Sequence, residues 1–338
     1  MIKYLGSKRK LIPWIIDIID AHCPGATSIL DLFSGTSRVG LALKERGFGV
    51  IANDHNSFAY QLARCYIETG PKDLPSNFNK IIEHLNALPG QEGFFTQRYC
   101  LEARFFHPKN GVKIDAIRSE IDELDISDRL RSVLLVSLME AADRVDSTCG
   151  IQMAYLKAWA KRAHNPLVMR IPHLVDGAPG RLCRALCLEA HMAAQGIDCD
   201  VAYLDPPYNQ HSYRGNYHIW ETLVCFDGPE VYGTANKRID CRHLKSDFNS
   251  KRTFKNALKK TIESLSAKFI LISFNDEGFI SQEELETLVR TFGKTQVFSV
   301  DYKRYIGAQI GIYNPDGVKV GNINKLRNKE LIYVIDRR

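Results

Sequence analysis

Ser28–Asp54 reads SILDLFSGTSRVGLALKERGFGVIAND, and its apolar spacing changes twice. Ser28 to Phe33 is a short apolar run closed by a glycine turn, as a buried strand requires. Val39 to Arg46 has helical spacing, and Gly47 punctuates its end. Gly49 to Asn53 is a second apolar run, followed by Asp54 and helical spacing to about Glu68. Strand–helix–strand–helix predicts the opening of a Rossmann-like, doubly wound α/β sheet. Ligands in such sheets lie beyond the carboxyl ends of the strands, which puts Asp31, Phe33, Gly35 and Asp54 on the ligand side. Gly35 lets the backbone approach a ligand closely. Asp54, about twenty residues on, stands where an acid accepts hydrogen bonds from ribose hydroxyls. The run Asp31 to Gly40 lacks a full G-x-G-x-x-G, which counts against a nicotinamide dinucleotide.

Working outward, residues 9–22 read as an amphipathic helix with Leu11, Ile12, Ile15, Ile16, Ile18 and Ile19 inward. From about Ser76 to Arg162 the spacing is mostly helical, most clearly over Arg129–Asp146. The α/β pattern resumes near Gly180. A helix is predicted over Arg181–Ala194, strands over Val201–Leu204, Phe269–Phe274, Gln296–Asp301 and Leu331–Ile335, and a helix over Gln282–Phe292. The expected organisation is a discontinuous domain, 1–70 with 180–338, around a helical insert, 71–179.

The strand Val201–Leu204 ends in Asp205-Pro206-Pro207-Tyr208. An amino group conjugated to a purine is a poor nucleophile because its lone pair is delocalised. The Asp205 carboxylate and the Pro206 carbonyl can accept its two N–H groups, favouring a more tetrahedral nitrogen. The two prolines fix φ and free these carbonyls from a ladder, and Tyr208 offers a flat face for an extruded base. The bland alternative is a strand-to-loop turn, for which Asp-Pro-Pro is a good sequence.

The balance of 45% hydrophobic and 25% charged residues is that of a globular protein. The net charge of +6 is mild, but Lys237–Lys260 carries nine basic residues against Asp240 and Asp247, 9 − 2 = +7. Residues 301–338 add eight basic against four acidic, 8 − 4 = +4. Such stretches suit a polyanion or a solvated face. The nine scattered cysteines include no C-x-x-C pair, as in a reducing compartment. Cys183, Cys187 and His191, at helical spacing, read as a stripe facing the core rather than as metal ligands, and no metal is expected. No stretch reaches the ~18 apolar residues of a membrane span, and the start of the chain is not a signal peptide. A cytoplasmic, nucleoid-associated location is expected.

With Lys3-Tyr4-Leu5-Gly6-Ser7-Lys8 at the start, Asp31-Leu32-Phe33-Ser34-Gly35 after the first strand and Asp205–Tyr208 after a later one, the chain resembles the Dam-type N6-adenine DNA methyltransferases. The likeness covers about two-thirds of the chain, the two α/β segments. Asn209, Asn216-Tyr217-His218 and Glu221-Thr222 resemble the restriction–modification branch. The resemblance implies S-adenosylmethionine as cofactor, double-stranded DNA as partner, a cognate restriction endonuclease as a possible companion, and transfer of methyl to N6 of a flipped-out adenine. It implies Tyr4 and Lys8 at the cofactor pocket, Asp31, Phe33 and Gly35 at its methionine part, Asp54 at the ribose, Glu189 at its adenine, and Asp205 at the target base and the cofactor's edge. Ser273-Phe274-Asn275 resembles a supporting motif. Two positions depart from the family: Ser37 stands where glycine is usual, and Glu189-Ala190 where an aspartate is commoner.

Phosphate contacts are expected from Lys237, Arg238, Lys251, Arg252, Lys255, Lys303 and Arg304, on a loop and helix and in the tail. Arg98, Arg104, His107, Lys109 and Asn110 of the insert are candidates to read bases, and the tail Tyr302-Lys303-Arg304 with Lys319–Lys329 is a second candidate. Cytosine N4 and adenine in RNA remain open, since the same tetrapeptide serves them too, and an inert DNA-binding relative is a further alternative.

Overall fold

The computed structural model describes residues 1–276, 278–303, 312–313, 319–321 and 327–338. In chain order the strands are β1 (Ser28–Asp31), β2 (Gly49–Asn53), β3 (Arg184–Leu186), β4 (Asp198–Leu204), β5 (Val231–Tyr232), β6 (Lys237–Arg238), β7 (Ser266–Asn275), β8 (Lys294–Lys303), β9 (Ile312–Tyr313), β10 (Lys319–Gly321) and β11 (Arg327–Asp336). Seven of them make one sheet in the order β3-β2-β1-β4-β7-β11-β8, while β5-β6 and β9-β10 are separate ribbons. Strands β3 to β7 along that order pair in parallel, and β11 is antiparallel to both of its neighbours.

The helices are α1 (Ile12–His22), α2 (Arg38–Glu45), α3 (Ser57–Ala63), α4 (Phe78–Ala87), α5 (Phe94–Thr96), α6 (Pro108–Glu123), α7 (Asp128–Arg144), α8 (Ala190–Ala194), α9 (Tyr213–Asn216), α10 (His218–Cys225), α11 (Lys251–Ser264) and α12 (Gln282–Val289). Strand side chains alternate between faces, and the core divides accordingly. Ile29, Val201, Tyr203 and Leu271 join a cluster with the apolar sides of α1 to α3 and of residues 78–145. Leu30, Ala202, Leu204 and Ile272 join a second cluster with α8, α11 and α12. Both faces are therefore covered, as a largely parallel sheet requires.

The helical segment enters the chain between α3 and β3, and its apolar side chains belong to the first of these clusters. Arg118 of α6 fastens it to α10. Its guanidinium donates to the Leu223 and Val224 carbonyls at 2.8 and 3.0 Å and lies 4.9 Å from the Phe226 ring centre. A cation there satisfies the open end of a helix and its dipole. The other end of α10 caps a second helix. The buried Glu221 carboxylate accepts from Ser57 N and Phe58 N at the start of α3, at 3.2 and 3.1 Å, and pairs with Arg214 at 3.1 Å.

The helix predicted over Arg181–Ala194 is not there: β3 and the short α8 occupy it. Helical spacing lost to edge pairing, because β2 presents an unpaired row of N–H and C=O groups that Arg184–Leu186 satisfies. Glu68 accepts from Ala185 N at 2.8 Å and Asn53 bonds both ways with Leu188, fixing the register. Cys183, Cys187 and His191 therefore share no helix stripe, and Cys187 and His191 are exposed. Among the described residues no cluster of His, Cys, Asp and Glu is arranged to hold a metal, and no helix is long and apolar enough to cross a membrane.

Arg214 also pairs with Asp240, at 3.3 Å, so it keeps a carboxylate without Glu221, whereas the N–H groups of Ser57 and Phe58 lose their acceptor. Glu221→Ala should cost about 2 kcal/mol for those unsatisfied donors, measured as a fall in the urea unfolding midpoint. A loss within the noise would mean that the start of α3 finds another acceptor.

Candidate active site

From β1 the chain turns toward β2 and β3, and from β4 it turns the opposite way toward β7. Successive connections diverge between β1 and β4 and leave a crevice at their carboxyl ends. Asp31 ends β1 opposite Tyr203, and Asp205 follows β4 directly. The cleft there, about 870 Å³ including its mouth, is lined by Tyr4, Lys8, Asp31, Phe33, Gly35, Asp54, Glu189, Asp205 and Pro207. Residues from five separated stretches of sequence thus meet at one sheet edge.

The first turn is tightly braced. Gly35 has φ +49° and a Cβ there would lie 3.3 Å from the Tyr4 ring, so the site requires glycine for space as well as conformation. Gly35 N donates to Asp54 Oδ2 at 3.1 Å, while Asp54 Oδ1 accepts from Asn56 N and Nδ2 at 2.9 Å. Three of a carboxylate's roughly four acceptor sites are thus used within the loop. Ser37, where the family usually has glycine, takes a left-handed φ of 58°, a conformation that costs an L-residue energy. The hydroxyls of Ser34 and Ser37 and the Asn56 carbonyl oxygen are buried without a protein partner.

Asp31 is 1% exposed and accepts from Gly40 N, in the first turn of α2, at 3.2 Å. Burial, then the nearby Asp205 carboxylate, push its carboxyl up to about 7, with the Gly40 N–H opposing.

The N-terminal segment is tied across this edge. Tyr4 is stacked between Tyr213 and Tyr217, ring centres 5.0 and 4.7 Å away. Leu5 N donates to Tyr217 Oη at 2.5 Å, and Lys3 Nζ reaches Asp146 at 2.8 Å. The segment delivers Lys8, 6% exposed, whose Nζ lies 3.2 Å from Asp205 Oδ1 and 3.2 Å from Glu330 Oε2. Burial opposes its charge, but the two carboxylates outweigh that and hold the ammonium well above the ordinary lysine value. Burial raises the Asp205 carboxyl while Lys8 lowers it, and the net shift is upward.

Glu189 precedes α8 and lines the cleft, its exposed carboxylate 4.0 Å from His55 Nδ1 and not bonded to the helix start. Pro206 is buried and is not among the residues lining the cleft. The half-buried Tyr208 ring packs edge-on against Phe274, 6.0 Å between centres, outside the lining. Phe274 and Asn275, at the end of β7, lie on this same edge.

The basic stretch is divided. Lys251, Arg252 and Lys255 are exposed on α11, whose Phe254, Leu258 and Ile262 are buried, and α11 begins just after the lining residues Phe248 and Asn249. Lys237 is partly buried, with Nζ 2.8 Å from Met153 Sδ. Arg238 is withdrawn from the expected phosphate contacts. It is 5% exposed and gripped by Asp227 at 2.7 and 2.8 Å and by Asp240 at 2.9 Å. Asn110 is withdrawn from the base-reading candidates, because it is buried and bonds the backbone of Ala163, Asn165 and Leu167. Arg104 lies 4.6 Å from the Trp159 ring centre, and Lys109 donates to the His164 carbonyl at 2.5 Å. Arg98 donates to the Pro229 carbonyl, and His107 caps α6. Arg304 and most of Lys319–Lys329 lie outside the described residues, and of Lys303 only its place at the end of β8 is described.

Sequence reading missed Tyr213, Asn249 and Glu330. Asn249 Nδ2 donates to the Asn209 and His211 carbonyls at 2.9 and 3.2 Å, pinning the loop after Tyr208. No motif marks it, because its partners are main-chain atoms. Tyr213 lies close enough to Tyr208 in sequence that an aromatic pair could have been noticed. Glu330 has no local signal at all.

Residues 4–288 match the model of the D12 class N6 adenine-specific DNA methyltransferases. The chain is 31% identical over 313 residues to the Type II methyltransferase M.NlaIII of Neisseria lactamica, covering 89% of this chain and 92% of that protein. It is 32% identical over 324 residues to the modification methylase StsI of Streptococcus sanguinis, covering 90% of this chain and 48% of that protein, so it spans about half of StsI. A solved S-adenosylmethionine-dependent methyltransferase from Agrobacterium tumefaciens aligns at a TM-score of 0.38 and 10% identity, over 99% of this chain and 64% of that one, too weakly to carry an argument.

A carboxyl raised to about 7 keeps its proton in the fold and loses it on unfolding above its ordinary value of about 4. The folded state binds more protons across that window, so stability falls as pH rises through it. Asp31→Asn, which retains an acceptor for Gly40 N, should lose less stability than the parent between pH 5 and about 7, read from urea midpoints. Parallel pH profiles would mean that Asp31 is ionised throughout.

Proposed function

Because this chain belongs to the D12 class of N6 adenine-specific DNA methyltransferases, we propose that it methylates an adenine extruded from double-stranded DNA, held at Asp205 and the Pro206 carbonyl. The family acts on adenine in DNA, which decides against cytosine N4 and RNA among the alternatives the tetrapeptide leaves open. The observation that carries the residue assignment is the meeting of Asp31, Gly35 and Asp205 in one cleft at the reversal of the sheet.

The methyl donor of such an enzyme is S-adenosylmethionine, and the cleft has the groups to fit it. Buried polar atoms without protein partners (Ser34 Oγ, Asn56 Oδ1) line the cleft beside the glycine turn, and the bare Gly35 backbone faces the Tyr4 ring. Tyr4 and Lys8 would line its pocket, Asp31, Phe33 and Gly35 would hold its methionine part, Asp54 its ribose and Glu189 its adenine, and Asp205 would touch its edge. When bound, it supplies an electrophilic methyl group on a sulfonium.

The chain's own residues do the rest. Asp205 Oδ1 is engaged by Lys8, and Oδ2 has no protein partner among the described residues. That oxygen and the Pro206 carbonyl accept the two N–H bonds of the target amino group, which localises the nitrogen lone pair. The low-dielectric wall strengthens both contacts. Tyr208 offers a ring face to the extruded base, and pocket contacts offset the few kcal/mol that extrusion costs. Lys251, Arg252 and Lys255, on the exposed side of α11 beside the cleft, contact phosphates, and Lys237 and Lys303 are further candidates. Residues 71–179 are the proposed target-recognition region within a discontinuous catalytic domain of 1–70 and 180–338, and the half-buried Arg104–Trp159 stack is a candidate group in it. A nuclease of matching specificity is the proposed companion, and the nucleoid the proposed place of work.

Expression in a methylation-free host, followed by sequencing that detects modified bases, should reveal N6-methyladenine at one short site. Unmodified DNA would indicate an inert relative. Asp205→Ala should abolish methyl transfer and leave DNA binding nearly unchanged, and full activity in that variant would refute the acceptor role. Lys251→Ala with Arg252→Ala should weaken DNA binding and reduce the slope of log K against log salt by about 2. A change confined to cofactor affinity would show that α11 does not face the DNA.

A further inference from the structure

Glu330 lies in β11, beyond the residues that match the family model, and only 7% of it is exposed. Its Oε2 accepts from Lys8 Nζ at 3.2 Å, and the same nitrogen lies 3.2 Å from Asp205 Oδ1. A buried and a partly buried carboxylate therefore share one ammonium, and when both are ionised the trio carries a net charge of −1. This arrangement depends on strand direction. β11 is antiparallel to β7 and pairs Glu330 with Asn275, the last residue of β7. That places the early part of β11 at the edge where β4 delivers Asp205.

We propose that Glu330 is a positioning residue for methyl transfer: it holds the Lys8 ammonium as a second carboxylate at 3.2 Å, fixing where that charge meets Asp205 Oδ1 and leaving Oδ2 to the target amino group. The proposal rests on the reading of Asp205 as the acceptor. A second carboxylate also divides Lys8's attraction, so Asp205 remains a better proton acceptor than it would be in an exclusive pair. Such a shared pair is weak as a source of stability, because burying three charges costs what their attraction returns. Its plausible return is geometry.

Other charged or titratable groups face Asp205. Asp31 approaches from β1, and the phenols of Tyr4, Tyr203, Tyr208 and Tyr213 approach from the N-terminal segment, β4, the following loop and α9. Asp276 acts on Glu330 itself. The phenols all lie above the ordinary tyrosine value and stay protonated at neutral pH. Asp54 acts on Asp31 and Tyr4 in the same cleft. The raised carboxyls of Asp31, Asp205 and Glu330 are the groups around Lys8 that can shape an acidic limb.

The test uses the full-length protein without ligand, carrying carbon-13 in its aspartate carboxyls, with Asp205→Asn to assign the Asp205 signal. Glu330→Gln removes the competing charge and keeps the shape, so the Asp205 midpoint should fall by about one pH unit. Lys8→Met should raise it. In the turnover assay the acidic limb of kcat should move to lower pH in Glu330→Gln, and kcat should drop about tenfold or more. Glu330→Asp, shorter by one methylene, should give a smaller shift in the same direction and serves if the glutamine variant does not fold. An unmoved Asp205 midpoint accompanied only by a lower melting temperature would overturn the proposal and leave Glu330 a structural residue. A moved midpoint in Glu330→Gln together with an active Asp205→Ala would uphold the coupling and refute the acceptor reading instead.

Discussion

Parallel strands bring their carboxyl ends to one edge, and where successive connections diverge no helix can cover the gap between them. That constraint, between β1 and β4, organises the molecule. It brings the carboxylate that ends β1 and the one that follows β4 into one water-poor cleft, where neither ionises as it would in solution. The surrounding structure answers this concentration of acid. Gly40 N–H serves Asp31, Lys8 serves Asp205, and Glu330 holds Lys8.

Lys8 reaches that place because the N-terminal segment is fixed at several points. Tyr4 is held between two rings, and Leu5 N is bound by Tyr217. Tyr217 immediately precedes α10, which Arg118 clamps at its far end and Glu221 joins to α3. The helical segment therefore does mechanical work for the site. Its buried Arg118 and Gln152 hold the helices that hold Tyr4, and Tyr4 packs against the bare Gly35 backbone. A disturbance far from the cleft can reach it through this chain of contacts without passing through the sheet.

The basic stretch shows why charge along a sequence is not charge on a surface. Arg238 and Lys251 look alike in the primary structure. One is buried between Asp227 and Asp240, and the other is exposed on a helix that turns its apolar side to the sheet. The apparent excess of +7 in Lys237–Lys260 thus overstates the field available to a polyanion. Asn110 likewise looks like a base reader until its donors and acceptor are found bonded to main-chain atoms.

The sequence by itself determined what depends on near neighbours. The alternation of strand and helix around Asp31 and Asp54 follows from local apolar spacing, and the Asp205–Tyr208 turn from the stereochemistry of two prolines. The cleft-side placement of Asp31, Gly35, Asp54 and Asp205 follows from strand ends alone. Tertiary structure decided what depends on groups far apart in the chain. Arg184–Leu186 is a strand rather than helix because the edge of β2 needed a partner. Arg118 anchors the helical segment because the last carbonyls of α10, more than a hundred residues on, lie against it. Glu330 enters the site because β11 runs against its neighbours, and the direction of a strand is set by where its partners lie, which no local pattern of residues records.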